Sequence, residues 1–124
     1  MLNGSTGKGI RIVIIDSGVN CEHPLLQNIH ISDASFSIFS DKMGEYGFSK
    51  DINDEFGHGT AVCGILAKLV PESTFIIAKI FDEANLRADG NKLNLALKYV
   101  IENMECDIIH MSLGTVLPSV ELEE

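Results

Sequence analysis

The chain has 124 residues, 45% of them hydrophobic and 22% charged, so it can bury one core and has no material for a second. A formal net charge of −9 argues against nucleic acid or an anionic membrane as partner, because both need a basic face. Much of the acidity falls between residues 33 and 55 and in the closing VELEE, which reads as solvated surface.

The opening MLNGSTGKGI lacks an apolar stretch long enough for a signal peptide, and no later segment has the length to span a bilayer. Residues 10–16, IRIVIID, form an unbroken β-branched run that predicts a strand buried on both faces. Residues 30–39 carry a weaker alternation that can hold a strand. Residues 42–57, KMGEYGFSKDINDEFG, are polar and glycine-bearing and predict a long surface loop. From residue 58 to 70, Val62, Ile65, Leu66 and Leu69 recur at helical spacing, and Pro71 stops the run. Residues 73–81, STFIIAKIF, predict another buried strand. After RADGN, residues 93–104 predict an amphipathic helix with Leu93, Leu97, Val100, Ile101 and Met104 on one stripe. Residues 107–113, DIIHMSL, predict the last strand. Strands alternating with helices imply βαβ crossovers, so the expected fold class is α/β, with a mainly parallel sheet covered on both sides in one domain over 1–124.

Cys21, Cys63 and Cys106 form no Cys-x-x-Cys pair, and any single disulfide leaves one thiol over. That suits a reducing compartment, and the expected location is the cytoplasm. Cys63 sits in an apolar run and reads as a small buried hydrophobe, while His30 and His110 read as structural.

In open α/β sheets, working groups gather beyond the carboxyl ends of the strands. Asp16 ends the first strong strand, His58 begins a helix after the long loop, and Ser112, Leu113 and Gly114 end the last strand. An aspartate that holds an imidazole by its Nδ1–H fixes the tautomer and leaves Nε2 free as a general base. Gly57 and Gly59 would let backbone and substrate approach the His58 ring, and Thr60 would anchor the helix start through its hydroxyl.

These residues carry a family resemblance. VIIDSGVNCEHPLL, including His23–Pro24, resembles the aspartate motif of the subtilisin-like serine proteases. GHGTAVCGI resembles their histidine motif, and DIIHMSLGT resembles the strand ending in Ser-Leu-Gly that pairs with substrate backbone. The resemblance spans nearly the whole chain and implies a three-layer α/β/α subtilisin-like fold, truncated. It assigns Asp16 and His58 as the catalytic aspartate and histidine. Ser112, Leu113 and Gly114 become one wall of the peptide-substrate cleft, with residues 86–90 near the other.

The family's nucleophile lies in a Gly-Thr-Ser-x-Ala motif, which these 124 residues do not contain, and the oxyanion-hole asparagine is missing with it. Without a hydroxyl there is no acyl-enzyme. No cofactor is implied. No calcium site is carried over either, since AKLVPEST runs directly into the next strand and Asp33, Asp41, Asp51 and Asp54 lack ligand spacing. The resemblance implies further parallel strands beyond residues 107–113, and without them the last strand would be an exposed edge in need of a partner. That partner would be a complementary serine-bearing polypeptide, a second copy of the chain, or a bound peptide. The expected function is the N-terminal half of a subtilisin-like serine endopeptidase, inactive until complemented. The alternative is a non-catalytic peptide-binding or assembly module built on the same frame.

Overall fold

The computed structural model describes residues 6–81 and 90–111. In chain order they form β1 (Arg11–Asp16), a 3₁₀ turn (Pro24–Leu26), β2 (His30–Ile31), β3 (Phe36–Ser40), β4 (Tyr46–Ser49), α1 (His58–Leu69), β5 (Thr74–Lys79), α2 (Gly90–Asn103) and β6 (Ile108–Met111). The strands lie in the order β4-β3-β5-β1-β6, and the short β2 also pairs with β5. Every pairing is parallel except that of β3 with β4.

β1 explains the three layers. Its side chains alternate between faces, and both faces are apolar, so helices must cover both. Ile12 and Ile14 join Phe75 and Ile77 of β5 against Cys63 and Ala67 of α1. Val13 and Ile15 join Ile76 and Ala78 against Leu93, Ala96 and Val100 of α2. Each Val, Leu, Ile or Phe among them contributes roughly 1.5–3 kcal/mol when fully buried, and together these residues fix the sheet between the helices. The fold class is therefore α/β, a mostly parallel sheet with α1 on one face and α2 on the other.

Three local expectations need correction. The segment expected to be a surface loop contains β4, antiparallel to β3 with Ile38 opposite Phe48. The hairpin turn is built by Asp41, whose carboxylate accepts from the N–H groups of Met43 and Glu45, an Asx-type turn. Gly47 then lies under the Phe39 ring, where a β-carbon would stand 2.6 Å from Cζ.

α1 has the expected helical period, but of its four spaced apolar residues only Val62 and Leu66 pack against the core, both partly buried. Its sheet-facing side is Gly59, Thr60, Cys63, Gly64 and Ala67, whereas Ile65 and Leu69 are 61% and 56% exposed. Small residues let the helix axis approach the sheet. In α2, Leu93 and Val100 are buried as expected, but the third buried apolar position is Ala96, and Ile101 points outward.

β6 closes one side of the sheet among the described strands, with Ile108 and Met111 exposed. Among the described residues, no helix is long and apolar enough to cross a membrane.

Candidate active site

The C-terminal end of β1 delivers Asp16 into the interior at 2% exposure. Its carbonyl accepts from Ile80 N at 2.9 Å, which ties it to the exit of β5. Its Oδ1 accepts from Ser17 N at 2.7 Å. His58, the first residue of α1, places Nδ1 2.9 Å from Oδ1 and 3.0 Å from Oδ2 of Asp16. An ionised carboxylate only accepts, so this contact calls for the proton on Nδ1, and in the neutral ring that tautomer leaves the lone pair on Nε2. The His58 side chain is 59% exposed, and Nε2 has no hydrogen-bond partner among the described residues. The arrangement therefore combines a buried, oriented acceptor with a solvent-facing base.

The two glycines around His58 serve different needs. Gly59 meets backbone, as expected, but that backbone is Gly18 and not substrate: a β-carbon at residue 59 would stand 2.1 Å from the Gly18 carbonyl oxygen. Gly57 has open space around it and instead takes φ +96°, a left-handed turn that only glycine enters without strain.

Thr60 does anchor the helix start, and its partner is Asp54, from the polar segment that precedes α1. Asp54 Oδ2 accepts from Thr60 N at 2.9 Å and from Thr60 Oγ1 at 2.6 Å. Its Oδ1 accepts from Phe56 N and Gly57 N, both at 2.9 Å, and from Ser17 Oγ at 2.8 Å. Burial alone would raise this carboxyl. The Thr60 hydroxyl and the N–H groups of Gly57, Thr60 and Phe56 outweigh that and hold its pKa below the ordinary 3.8. The signal that could have found it is an aspartate three residues before a glycine that opens a helix, with a threonine three residues further on.

The rest of the aspartate motif is structural. His23 Nδ1 accepts from Leu25 N at 3.1 Å and so caps the 3₁₀ turn, with Pro24 at its first position. The turn brings Leu25 against Gly64 of α1. Cys63 is buried, with its thiol pushed up to about 12 by burial and by the nearby Cys21.

Ser112, Leu113 and Gly114 lie outside the described residues, as do residues 86–89; Gly90 is the first residue of α2. No three His, Cys, Asp or Glu side chains converge as a metal site among the described residues. A surface groove of about 890 Å³, lined by Arg11, Cys106 and Asp107 among others, opens at the far end of β1 from Asp16, so size alone does not mark the site.

The profile of the subtilase family (Peptidase S8) matches residues 7–123. The major intracellular serine protease of Bacillus subtilis (strain 168) is 32% identical over 98% of this chain and 39% of its own length. The intracellular serine protease of Paenibacillus polymyxa is 30% identical over 98% of this chain and 38% of its own length. The minor extracellular protease Epr of Bacillus subtilis is 28% identical, again over 98% of this chain, but over only 18% of its own length. The chain thus spans about two-fifths or less of these relatives. The family match covers nearly the whole chain, and the chain belongs to the subtilase family.

Proposed function

We propose that this chain supplies the aspartate and histidine of a serine endopeptidase triad, and that a segment outside these 124 residues supplies the serine and completes the oxyanion hole. The observation that carries this is the His58 ring held on both carboxylate oxygens of Asp16 while its other nitrogen faces solvent. Support comes from the names of the relatives, which are serine proteases, and from the absence of a Gly-Thr-Ser-x-Ala motif from the sequence.

In this scheme Nε2 of His58 takes the proton from the incoming serine hydroxyl as Oγ attacks the scissile carbonyl. Asp16 stabilises the imidazolium that results, without itself becoming protonated. The imidazolium then gives its proton to the leaving amine. Ser112, Leu113 and Gly114 would pair with the extended substrate backbone. The serine-bearing segment, or a second copy of the chain, would attach along β6, where Ile108 and Met111 are exposed. The proposed location is the cytoplasm, consistent with two intracellular relatives and three cysteines that stand as free thiols.

The test is complementation. The chain is mixed with, or fused to, a relative's segment that carries the serine motif. Labelling by a serine-directed fluorophosphonate and hydrolysis of a peptide substrate are then followed. The expected result is silence from the chain alone, and labelling plus hydrolysis in the complex, both lost with His58→Ala. A complex that forms and stays unlabelled would overturn the proposal.

The edge of β6, unpaired among the described strands, also favours a second reading, a non-catalytic module that captures an extended peptide by strand addition. Its mark is peptide affinity that is indifferent to His58→Ala.

A further inference from the structure

Two carboxylates converge on the start of α1, and the triad chemistry uses only Asp16. We infer that Asp54 is the positioning residue of His58, fixing where the ring stands by holding the main chain on both sides of it. The inference rests on Asp16 and His58 acting as an acid–base pair.

The hydrogen bonds around His58 form a closed loop. Gly57, immediately before it, donates its N–H to Asp54 Oδ1, and Thr60, two residues after it, donates to Oδ2. Gly59 N donates to Ser17 Oγ at 3.0 Å, and that hydroxyl donates to Asp54 Oδ1. Ser17 in turn donates its own N–H to Asp16 Oδ1. One carboxylate thus ties the helix start that bears the imidazole to the strand end that bears the imidazole's acceptor.

The sequence leaves α1 dependent on this tie. Its N-cap is Gly57, which has no side chain to cap with, so the first N–H groups need acceptors from elsewhere. An ionised carboxylate suits a helix N-terminus, and its hydrogen bonds are stronger than those of a neutral acceptor. All its partners named here are neutral donors, so Asp54 cannot pass on their protons and plays no part in proton transfer. Its effect is on geometry. Nδ1 straddles both oxygens of Asp16 at nearly equal distance, a placement that a small shift of the helix start would break.

The test reads the ring directly. Long-range ¹H–¹⁵N NMR of the ¹⁵N-labelled chain, at a pH where the imidazole is neutral, gives the ratio of the Nδ1–H to the Nε2–H tautomer of His58. That ratio reports the hydrogen bond made by Nδ1. The wild type is expected to hold mainly Nδ1–H. Asp54→Asn, whose amide turns an N–H toward donors, should lower the ratio about fivefold, as for one lost hydrogen bond. Ser17→Ala and Thr60→Val remove single donors with little volume change and should move it less, in the same direction. Helix content by circular dichroism accompanies each variant, and if Asp54→Asn does not fold, the two milder variants decide. Asp16→Asn is the control for the underlying pair. A ratio unmoved by Asp16→Asn overturns the pair itself. A ratio moved by Asp16→Asn but by none of the other variants, at unchanged helix content, overturns only the role of Asp54.

Discussion

Gly59 and Gly18 touch backbone to backbone: a methyl built on residue 59 would stand 2.1 Å from the Gly18 carbonyl oxygen. Gly18 is itself at φ +102°, and a β-carbon there would stand 2.3 Å from the carbonyl oxygen of Ile52. The exit of β1, the segment at residue 52 and the start of α1 therefore stack with no side chain between them. Val19 N donating to Ile52 O and Asp54 N donating to Val19 O lock the stack. Gly59→Ala has only rigid backbone to push against and should cost about 3 kcal/mol. Urea unfolding of the chain measures this, and a midpoint unchanged from wild type would show that the contact is dispensable.

His58→Ala separates stability from chemistry. The ring is mostly exposed, and water can take its place on Asp16, so the variant should lose about 1 kcal/mol or less of stability. In the complemented enzyme, the same change should lower kcat by about 10⁴-fold or more, as expected of a triad member. Parallel denaturation and turnover assays check both halves. A large stability loss would recast His58 as a structural residue.

The cysteines should differ in reactivity by environment. Cys21 is exposed and Cys63 is buried with its thiol pushed up to about 12, and the thiolate is the reacting form. Brief iodoacetamide treatment of the native chain near pH 8, read by peptide mass spectrometry, should modify Cys21 and spare Cys63. In denaturant both should react. Early modification of Cys63 would mean that α1 detaches readily from the sheet.

Asp54 also makes a prediction about acid. Its pKa in the folded chain lies below the ordinary 3.8, so its ionised form favours folding. That stabilisation is fully present above the unfolded-state value and is lost as pH falls through the lowered folded value. The stability gap between wild type and Asp54→Asn should therefore be constant from neutral pH down to the ordinary carboxyl range and narrow below it. Urea midpoints taken across that range measure the gap. A gap independent of pH would assign the carboxylate no ionic contribution.

What the sequence made legible follows from which residues speak loudly. β1 announces itself through its β-branched residues 12–15 and β5 through the apolar run of Phe75, Ile76, Ile77 and Ala78, and Asp16 and His58 through their position at a strand end and a helix start. α1 misleads because two of its large apolar side chains, Ile65 and Leu69, point outward, while the residues it buries fully, Gly59, Cys63, Gly64 and Ala67 among them, lack the bulk that marks a core stripe. β4 is hidden by Gly47, whose missing side chain breaks the alternation yet makes room for Phe39. Asp54 stood among several acidic loop residues, and only the folded chain shows its carboxylate turned inward onto five donors.

The central place of β1 also sets when the site can exist. Its hydrogen-bonding neighbours are β5 and β6, both far along the chain, so β1, the earliest of the described strands, must wait for the later ones. Contacts so distant in sequence close slowly. Asp16 thus leaves the ribosome well ahead of the elements that bury it, and a nascent chain holds no oriented histidine until β5 has docked. The Asp16–His58 pair is in this way kept unassembled during synthesis by strand order alone.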